Sequence, residues 1–437
     1  MPGGIPSYVS RARKLLLSAK EGVNPFEGCT VEVPTGVDLS LENGPGSAAF
    51  AECEKLGQGM VQTTGSRAPG DLIHAQTYPN EQHGSFLDIL KMFLKDAGVP
   101  EGDSPSAACF AMAGPVAKNR VRFTNLASWG EICGKRLERQ LGIPTVRLVN
   151  DFVGAGYGLL TLDANNPAQL RTLVGVPPTP GGVMACVGAG TGLGEVYLTA
   201  GTDGEYTAFA SEGGHADWCP KGPEQHALNE FLKSKYGQAH RVSVERVVSG
   251  MGLADAYSFL ASTYPQKVNP TVQTEFNAAG DQKGRVVATN TDKCNLCRQV
   301  MAWFAQEYGY EAGTAALKWL PTGGLFLAGG LTPKNIGLIE GEGSPFLVAY
   351  RDKGRLAGVL DGIPLHAVMC EDLGLRGAHF VAFRLWQQTQ VEGAARLRAK
   401  KDEESLAGRT PFTALALAFA VGALAFAGGM AFQARRR

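Results

Sequence analysis

The sequence predicts an α/β protein of two domains followed by a C-terminal transmembrane helix. Three observations lead there. At 437 residues the chain is longer than a single core of ordinary size accommodates. From about residue 85, short apolar runs alternate with amphipathic stretches of helical period. Residues 412–432 then run 21 positions without a charge. As a helix that run spans about 31 Å, the thickness of a bilayer's hydrocarbon core.

Composition narrows the function classes. Hydrophobic residues make up 44% of the chain and charged residues 19%, ordinary for an α/β protein. With 41 basic and 41 acidic residues the formal net charge is zero, and no basic stripe offers a footprint for nucleic acid. Nine cysteines, an odd number without framework spacing, argue against a disulfide scaffold and for a reducing compartment. The one CxxC, Cys294 to Cys297, falls in a helical pattern. No second CxxC and no His pair completes a zinc site, which favours a structural role over metal or redox chemistry.

Residues 1–70 show little periodicity, and four basic residues precede the first acid, Glu21, so the segment reads as a weak transit peptide or an ordinary start. "SFLDILKMFLKDAG" (85–98) predicts a helix closed by glycine, and "SAACFAMAGPV" (106–116) a buried strand with a Gly-Pro turn. A helix over 129–143 and a strand over 145–149 lead to Asn150. Strands at 182–187 and 195–200 flank a glycine loop, and a polar turn follows at 211–215. Helices are expected at 224–236, 245–263, 294–318 and 371–387, with a strand at 324–330 and a helix-like stretch at 332–338. The expected domains are 71–155, smaller, and 156–370, larger, with 371–390 returning to the smaller one. A polar linker over 391–410 then leads to a tail anchor over 411–433, which places the remainder on the cytosolic face of an organelle such as a mitochondrion or plastid.

Four short segments carry chemistry. In "RLVNDFVGAG" (147–156) an amide and a carboxylate, Asn150 and Asp151, follow an apolar strand; they cap a helix, bind a ligand, or do both. The loop Gly188-Ala-Gly190-Thr-Gly192-Leu-Gly194 is neither a P-loop, since Glu195 follows it, nor a dinucleotide fingerprint, since Leu193 holds the sixth place. A hairpin remains, either a plain turn or an anion cradle of backbone N–H groups with the Thr191 hydroxyl. Glu212 and His215 flank two glycines and suit a polyol, although a surface turn explains them equally well. Glu245, with Ser243 as cap, reads first as a helix-dipole partner.

Taken in order over roughly 75–385, "AMAGPV" with "FTNLASW", "LVNDF", "GAGTGLG", "SEGGHADWCP", "VERVVSGMGL" and "LAGGL" resemble the bacterial-type glucokinase family. That resemblance implies an actin-like, ribonuclease H-like sugar kinase fold and an enzyme that phosphorylates glucose with ATP and Mg²⁺ for glycolysis. It implies that Asn125, Asn150, Asp151, Glu212, His215 and Glu245 surround the sugar, with Asp151 as general base. Gly188, Gly190, Thr191, Gly192 and Gly194 would hold ATP phosphates, and Gly329 and Gly330 would lie beside the nucleotide. Only Cys219 stands near His215, so the zinc of some relatives is not expected. The family's first phosphate loop, an Asp-Gly-Gly-Thr hairpin, has no counterpart: Gly44 and Gly46 lack a preceding Asp, and no glycine pair follows Asp38. That departure supports an alternative, a membrane-tethered sugar-binding or sensing protein without catalysis. Homo-oligomer formation is left open.

Overall fold

The protein is described by a computed structural model over residues 60–62, 71–123 and 127–407. The early part carries β1 (Met60–Gln62), β2 (Asp71–His74), α1 (Phe86–Asp96), β3 (Ala108–Met112), β4 (Arg120–Arg122), β5 (Glu131–Cys133), α2 (Gly134–Leu141) and β6 (Val146–Asn150). Next come α3 (Asp151–Leu159), β7 (Leu170–Val174), β8 (Met184–Ala189), β9 (Leu193–Ala200), β10 (Tyr206–Ser211), α4 (Gly222–Tyr236) and α5 (Gly250–Thr263). The helices α6 (Pro270–Ala278), α7 (Lys283–Thr289) and α8 (Asn295–Trp319) precede β11 (Gly324–Ala328). Short helices α9 (Leu331–Lys334), α10 (Ile336–Ile339), α11 (Pro345–Arg351) and α12 (Ala357–Leu360) lead to β12 (Leu365–Val368) and α13 (Leu373–Ala407).

Six strands form one mixed sheet in the order β10-β9-β8-β11-β12-β7. Its centre, β8, β11 and β12, is parallel, and β9, β10 and β7 run antiparallel to their neighbours. Helices cover both faces, which is why all five residues of β11 are buried and read as an unbroken apolar run. On one face Val187, Leu325 and Leu327 pack with Leu253, Tyr257, Phe304 and Tyr308. On the other, Cys186, Val196, Leu198 and Phe326 meet Ala155 and Leu159 of α3 and Leu373 of α13.

A second apolar cluster lies around β3 and β6, which pair in parallel with Met112 opposite Asn150. The α1 residues Phe86, Ile89, Leu90 and Phe93, spaced as one helical stripe, bury against Phe110, Met112 and Leu148. Ser85 caps α1 by accepting from the Asp88 N–H at 3.2 Å. The free edge of β6 is met by Asn119, held at φ 59°, which accepts from Leu148 N at 2.7 Å and donates to the Val146 carbonyl at 2.9 Å. An amide side chain thus takes the place of a missing strand and fixes the strand that ends in Asn150.

The α3 helix is glycine-rich because two neighbours press on it. A Cβ at Gly158 would fall 2.1 Å from the Leu373 carbonyl oxygen, and one at Gly377 would fall 1.7 Å from that of Gly154. Only glycines let α3 and the start of α13 approach so closely.

Several expectations are corrected. The fold class loses its C-terminal transmembrane helix: among the described residues, no helix is long and apolar enough to cross a membrane. The last described stretch of α13 carries Arg396, Arg398, Lys400, Lys401 and Glu404, too many charges for a span. The residues expected to form the tail anchor, 411–433, lie outside the described residues, as do 1–59 with the segment read as a transit peptide. The helix expected over 129–143 starts only at Gly134, because Glu131–Cys133 pairs with Arg120–Arg122 as β5. The helix expected over 245–263 starts at Gly250, capped by Ser249 rather than Ser243.

The chain divides into two compact units, one ending at Phe383 and the other beginning at Arg384. In the second unit α13 continues to Ala407 through residues read as a polar linker. It carries i,i+4 pairs between Glu392 and Arg396 (3.8 Å) and between Lys400 and Glu404 (3.9 Å).

Candidate active site

Asn150 and Asp151 stand where β6 becomes α3, and the N-cap of α3 is Asn150. Its Oδ1 accepts from Phe152 N (3.0 Å) and Val153 N (3.2 Å). Its Nδ2 donates to the Gly114 carbonyl in the turn after β3 at 3.2 Å. Capping therefore falls to the amide and frees the adjacent carboxylate for other work. One oxygen of Asp151 accepts from Phe152 N at 2.9 Å. Burial pushes the Asp151 carboxyl up to about 6, and the Glu212 carboxylate adds to the rise. The N–H groups of Phe152 and Asp151 and the Asn150 side chain hold it back. Asp151 and Glu212, distant in sequence, thus act on one another electrostatically.

The glycine loop is a hairpin between β8 and β9, with Gly188 paired to Gly194 and Ala189 to Leu193. Gly190, Thr191 and Gly192 form its tip. The two paired glycines face the Phe152 ring: a Cβ would fall 2.6 Å from that ring at Gly188 and 2.0 Å at Gly194. The ring next to Asp151 thus slots against the base of the hairpin. At the tip, the Gly190 carbonyl accepts from Gly250 N at 2.9 Å. This sets the N-terminus of the 14-residue α5 beside the loop, a disposition suited to phosphate.

Glu212 and His215 bracket a short 3-10 turn, both exposed to solvent. His215 Nε2 lies 3.9 Å from Glu212 Oε2, and its Nδ1 lies 3.6 Å from Glu245 Oε1. Arg241 donates to the His215 carbonyl at 2.6 Å and steadies the turn. Glu245, only 17% exposed, uses its second oxygen to accept from Leu193 N at 3.1 Å. One carboxylate therefore touches both the turn and the hairpin, a role its reading as a dipole partner missed.

Gly329 ends β11 at φ 81°, where a Cβ would lie 2.3 Å from the Ala189 carbonyl oxygen. It brings the start of α9 against the hairpin strand. Gly330 follows, flanked by the Lys334–Glu371 ion pair at 3.2 Å. Tyr308, buried on α8, ties these strand ends together: its hydroxyl donates to the Val187 carbonyl (3.0 Å) and meets Thr332 Oγ1 at 3.0 Å. Nothing local in the sequence marks Tyr308, Ser249 or Phe152 as site residues, since each acts through contacts from another element. Asn125 lies outside the described residues. Asn150, Asp151, Glu212, His215, Glu245 and Gly188 to Gly194 are linked by the interactions above, and Gly329 abuts the same hairpin.

A mixed sheet of this order, with a glycine hairpin beside the start of α3, has the architecture of the actin-like sugar kinase fold. Solved structures agree on that fold. A glucokinase from Balamuthia mandrillaris, crystallised with glucose, matches with a TM-score of 0.60 at 22% identity, over 72% of this chain and 87% of its own. A glucokinase from an Antarctic psychrotroph matches at 0.59 and 23% identity, over 75% and 94%. The profile of the Glucokinase family covers residues 59–385. A glucokinase of Synechocystis sp. is 40% identical over 321 residues, 70% of this chain and 88% of that one. One of Nostoc punctiforme is 37% identical over 337 residues, 75% and 95%. The chain belongs to the glucokinase family and is an ATP-dependent hexose kinase.

The tail-anchored placement on an organelle membrane is withdrawn on the same findings. The relatives are bacterial glucokinases, and none of the described helices can span a bilayer.

Proposed function

We propose that the chain transfers the γ-phosphoryl group of ATP to the 6-hydroxyl of glucose, giving glucose 6-phosphate, with Asp151 as general base. The observation that carries this reading is the start of α3, where Asn150 takes the cap and leaves free the buried Asp151 carboxyl, raised by burial and by Glu212. A sugar hydroxyl is a weak nucleophile at neutral pH. A carboxylate with a raised pKa accepts its proton as the new P–O bond forms, more readily than one left in the ordinary range.

Asn150, Glu212, His215 and Glu245 supply an amide, two carboxylates and an imidazole, a donor and acceptor set suited to a ligand made of hydroxyls. They orient the sugar, while the N–H groups of the hairpin tip and the α5 N-terminus receive the phosphates. The bond between Glu245 and Leu193 N keeps both substrates' supports in one register.

Among the described residues, no three His, Cys, Asp or Glu side chains gather as a metal cage. Mg²⁺ would arrive with the nucleotide's phosphates, with Asp151 and Glu212 as the carboxylates available to hold its water. When bound, the ion neutralises charge on the transferring phosphoryl group. The segment Asp38 to Gly46, which lacks the family's Asp-Gly-Gly-Thr pattern, lies outside both the described residues and the family match.

The test is a coupled assay of glucose 6-phosphate formation by the full chain, with glucose binding followed by calorimetry. Turnover dependent on both glucose and ATP is the expected result. Glucose binding without turnover at any ATP concentration would mean a sugar-binding protein that has lost catalysis.

A further inference from the structure

Glu195 follows the last glycine of the hairpin and points from β9 into the core towards α8. It is 1% exposed. Among the described residues neither of its oxygens has a hydrogen-bond donor, and the same holds for Oε1 of Glu311, buried on α8. After burial, the Glu311 carboxyl is the group that acts most strongly on Glu195. Two ionised carboxylates offer one another no donor, whereas a single proton held between them would supply one.

The other side of Glu195 faces the turn that carries Glu212. A Cβ added to Gly213 would fall 1.7 Å from Glu195 Oε2, so the turn's backbone rests directly on this carboxyl. The adjacent Gly214 rests on the Leu193 carbonyl oxygen, at 2.0 Å from its own added Cβ. We propose that Glu195 and Glu311 share a single proton and act as positioning residues, holding the Glu212–His215 turn in place beside the phosphate hairpin. The kinetic consequence rests on the reading of Glu212 and His215 as sugar ligands; the shared proton does not.

On β8 and β10 the residues opposite Glu195 are Val187 and Ser211, neither charged. On α8 the exposed Lys318 is the cation that favours ionised Glu195. Lys353, beyond α11, acts on Glu311 from the other side. Glu307, one turn before Glu311, is engaged by Trp218 Nε1 (2.7 Å), Gln225 Nε2 (2.8 Å) and Lys221 (3.6 Å). On the turn itself stand Glu212 and His215. Two lysines already face the pair, which disfavours a resident cation between its carboxyls. Loss of the proton would leave two buried negative charges in contact, and their repulsion would push Glu195 against Gly213. Burial and the Glu311 carboxylate raise Glu195 to about 8, so this loss belongs to the alkaline range.

Two measurements on the full chain test the idea. Infrared spectroscopy near neutral pH should show the C=O stretch of a protonated buried carboxylic acid, absent from Glu195→Gln and from Glu311→Gln. Absence of that band from the wild type overturns the shared proton. In steady-state kinetics the wild-type KM for glucose should rise at least about threefold between neutral pH and about pH 9, with kcat changing less. In Glu195→Gln, whose amide is a permanent donor to Glu311, KM should stay flat over that range. An equal rise in the variant overturns the positioning role. Turnover of Asp151→Asn reports separately on the general base, so failure of that assignment is distinguishable from failure of the pair.

Discussion

Glu245 accepts from the Leu193 N–H at 3.1 Å while its other oxygen lies 3.6 Å from His215 Nδ1. The hairpin proposed to receive phosphates and the turn proposed to receive sugar are thus both touched by one carboxylate. Removing it leaves the Leu193 N–H without an acceptor, a loss of about 1–3 kcal/mol for a desolvated donor. Glu245→Ala should therefore raise KM for ATP as well as for glucose, each by about tenfold or more. His215→Ala, which leaves the hairpin bond intact, should raise KM for glucose alone. Steady-state kinetics with each substrate varied in turn separates the two. An unchanged KM for ATP in Glu245→Ala would show that the hairpin does not depend on this bond.

Phe152 fills the space that side chains at Gly188 and Gly194 would otherwise need. With the ring 2.0 Å from where a Cβ would stand, Gly194→Ala overpacks the contact and should lower stability by about 1–3 kcal/mol. Trimming the ring relieves the clash, so Phe152→Leu in the Gly194→Ala background should recover part of the loss, a coupling of about 0.5–3 kcal/mol. Denaturant melts of the four proteins in this cycle measure it. Strict additivity would mean that ring and hairpin do not touch in solution.

In the proposed reaction Asp151 acts as a base only when ionised, and burial pushes its carboxyl up to about 6. Accordingly kcat/KM should fall as pH drops through about 6 and level off above it, the proton being lost from the free enzyme. Asp151→Asn should reduce turnover by about 10²–10⁴-fold and show no such acid limb. Because Asn150 rather than Asp151 carries most of the capping of α3, the variant should keep its fold and bind glucose within about tenfold of wild type, as calorimetry can check.

The legible parts of this chain were those where one segment supplies its own signal. The α1 stripe of Phe86, Ile89, Leu90 and Phe93 has helical spacing, and the hairpin at Gly188–Gly194 interrupts strand-like alternation on both sides. Asn150 and Asp151 stood out because polar residues ended an apolar strand. What stayed hidden depends on partners. The β5 strand, Glu131–Cys133, has no apolar run of its own and exists because Arg120–Arg122 pairs with it. Glu195 reads in sequence only as the residue that disqualifies a P-loop, and its burial against Glu311 requires α8 to lie behind the sheet. Conversely, the uncharged run at 412–432 gave the strongest local signal, yet the described helix before it ends in charged residues.

The Glu195–Glu311 pair also fixes the direction of a pH effect on stability. An unfolded glutamate titrates near 4.3, at about its solvated value. In the folded protein burial and Glu311 raise Glu195 to about 8. Between those values the native state binds more protons than the unfolded state, so the stability tied to this proton is complete below about pH 4.3 and falls as pH rises through the window. Above about 8 the loss is finished and the dependence is flat. Glu195→Gln cannot titrate, whereas Asp151 contributes equally to both proteins and cancels in the comparison. The Tm of wild type relative to Glu195→Gln should therefore decline steadily from about pH 5 to about pH 8 and then hold constant. Calorimetric melts at fixed ionic strength measure that difference. Parallel Tm curves across the window would mean that Glu195 is already ionised at neutral pH and that the turn rests on a charge.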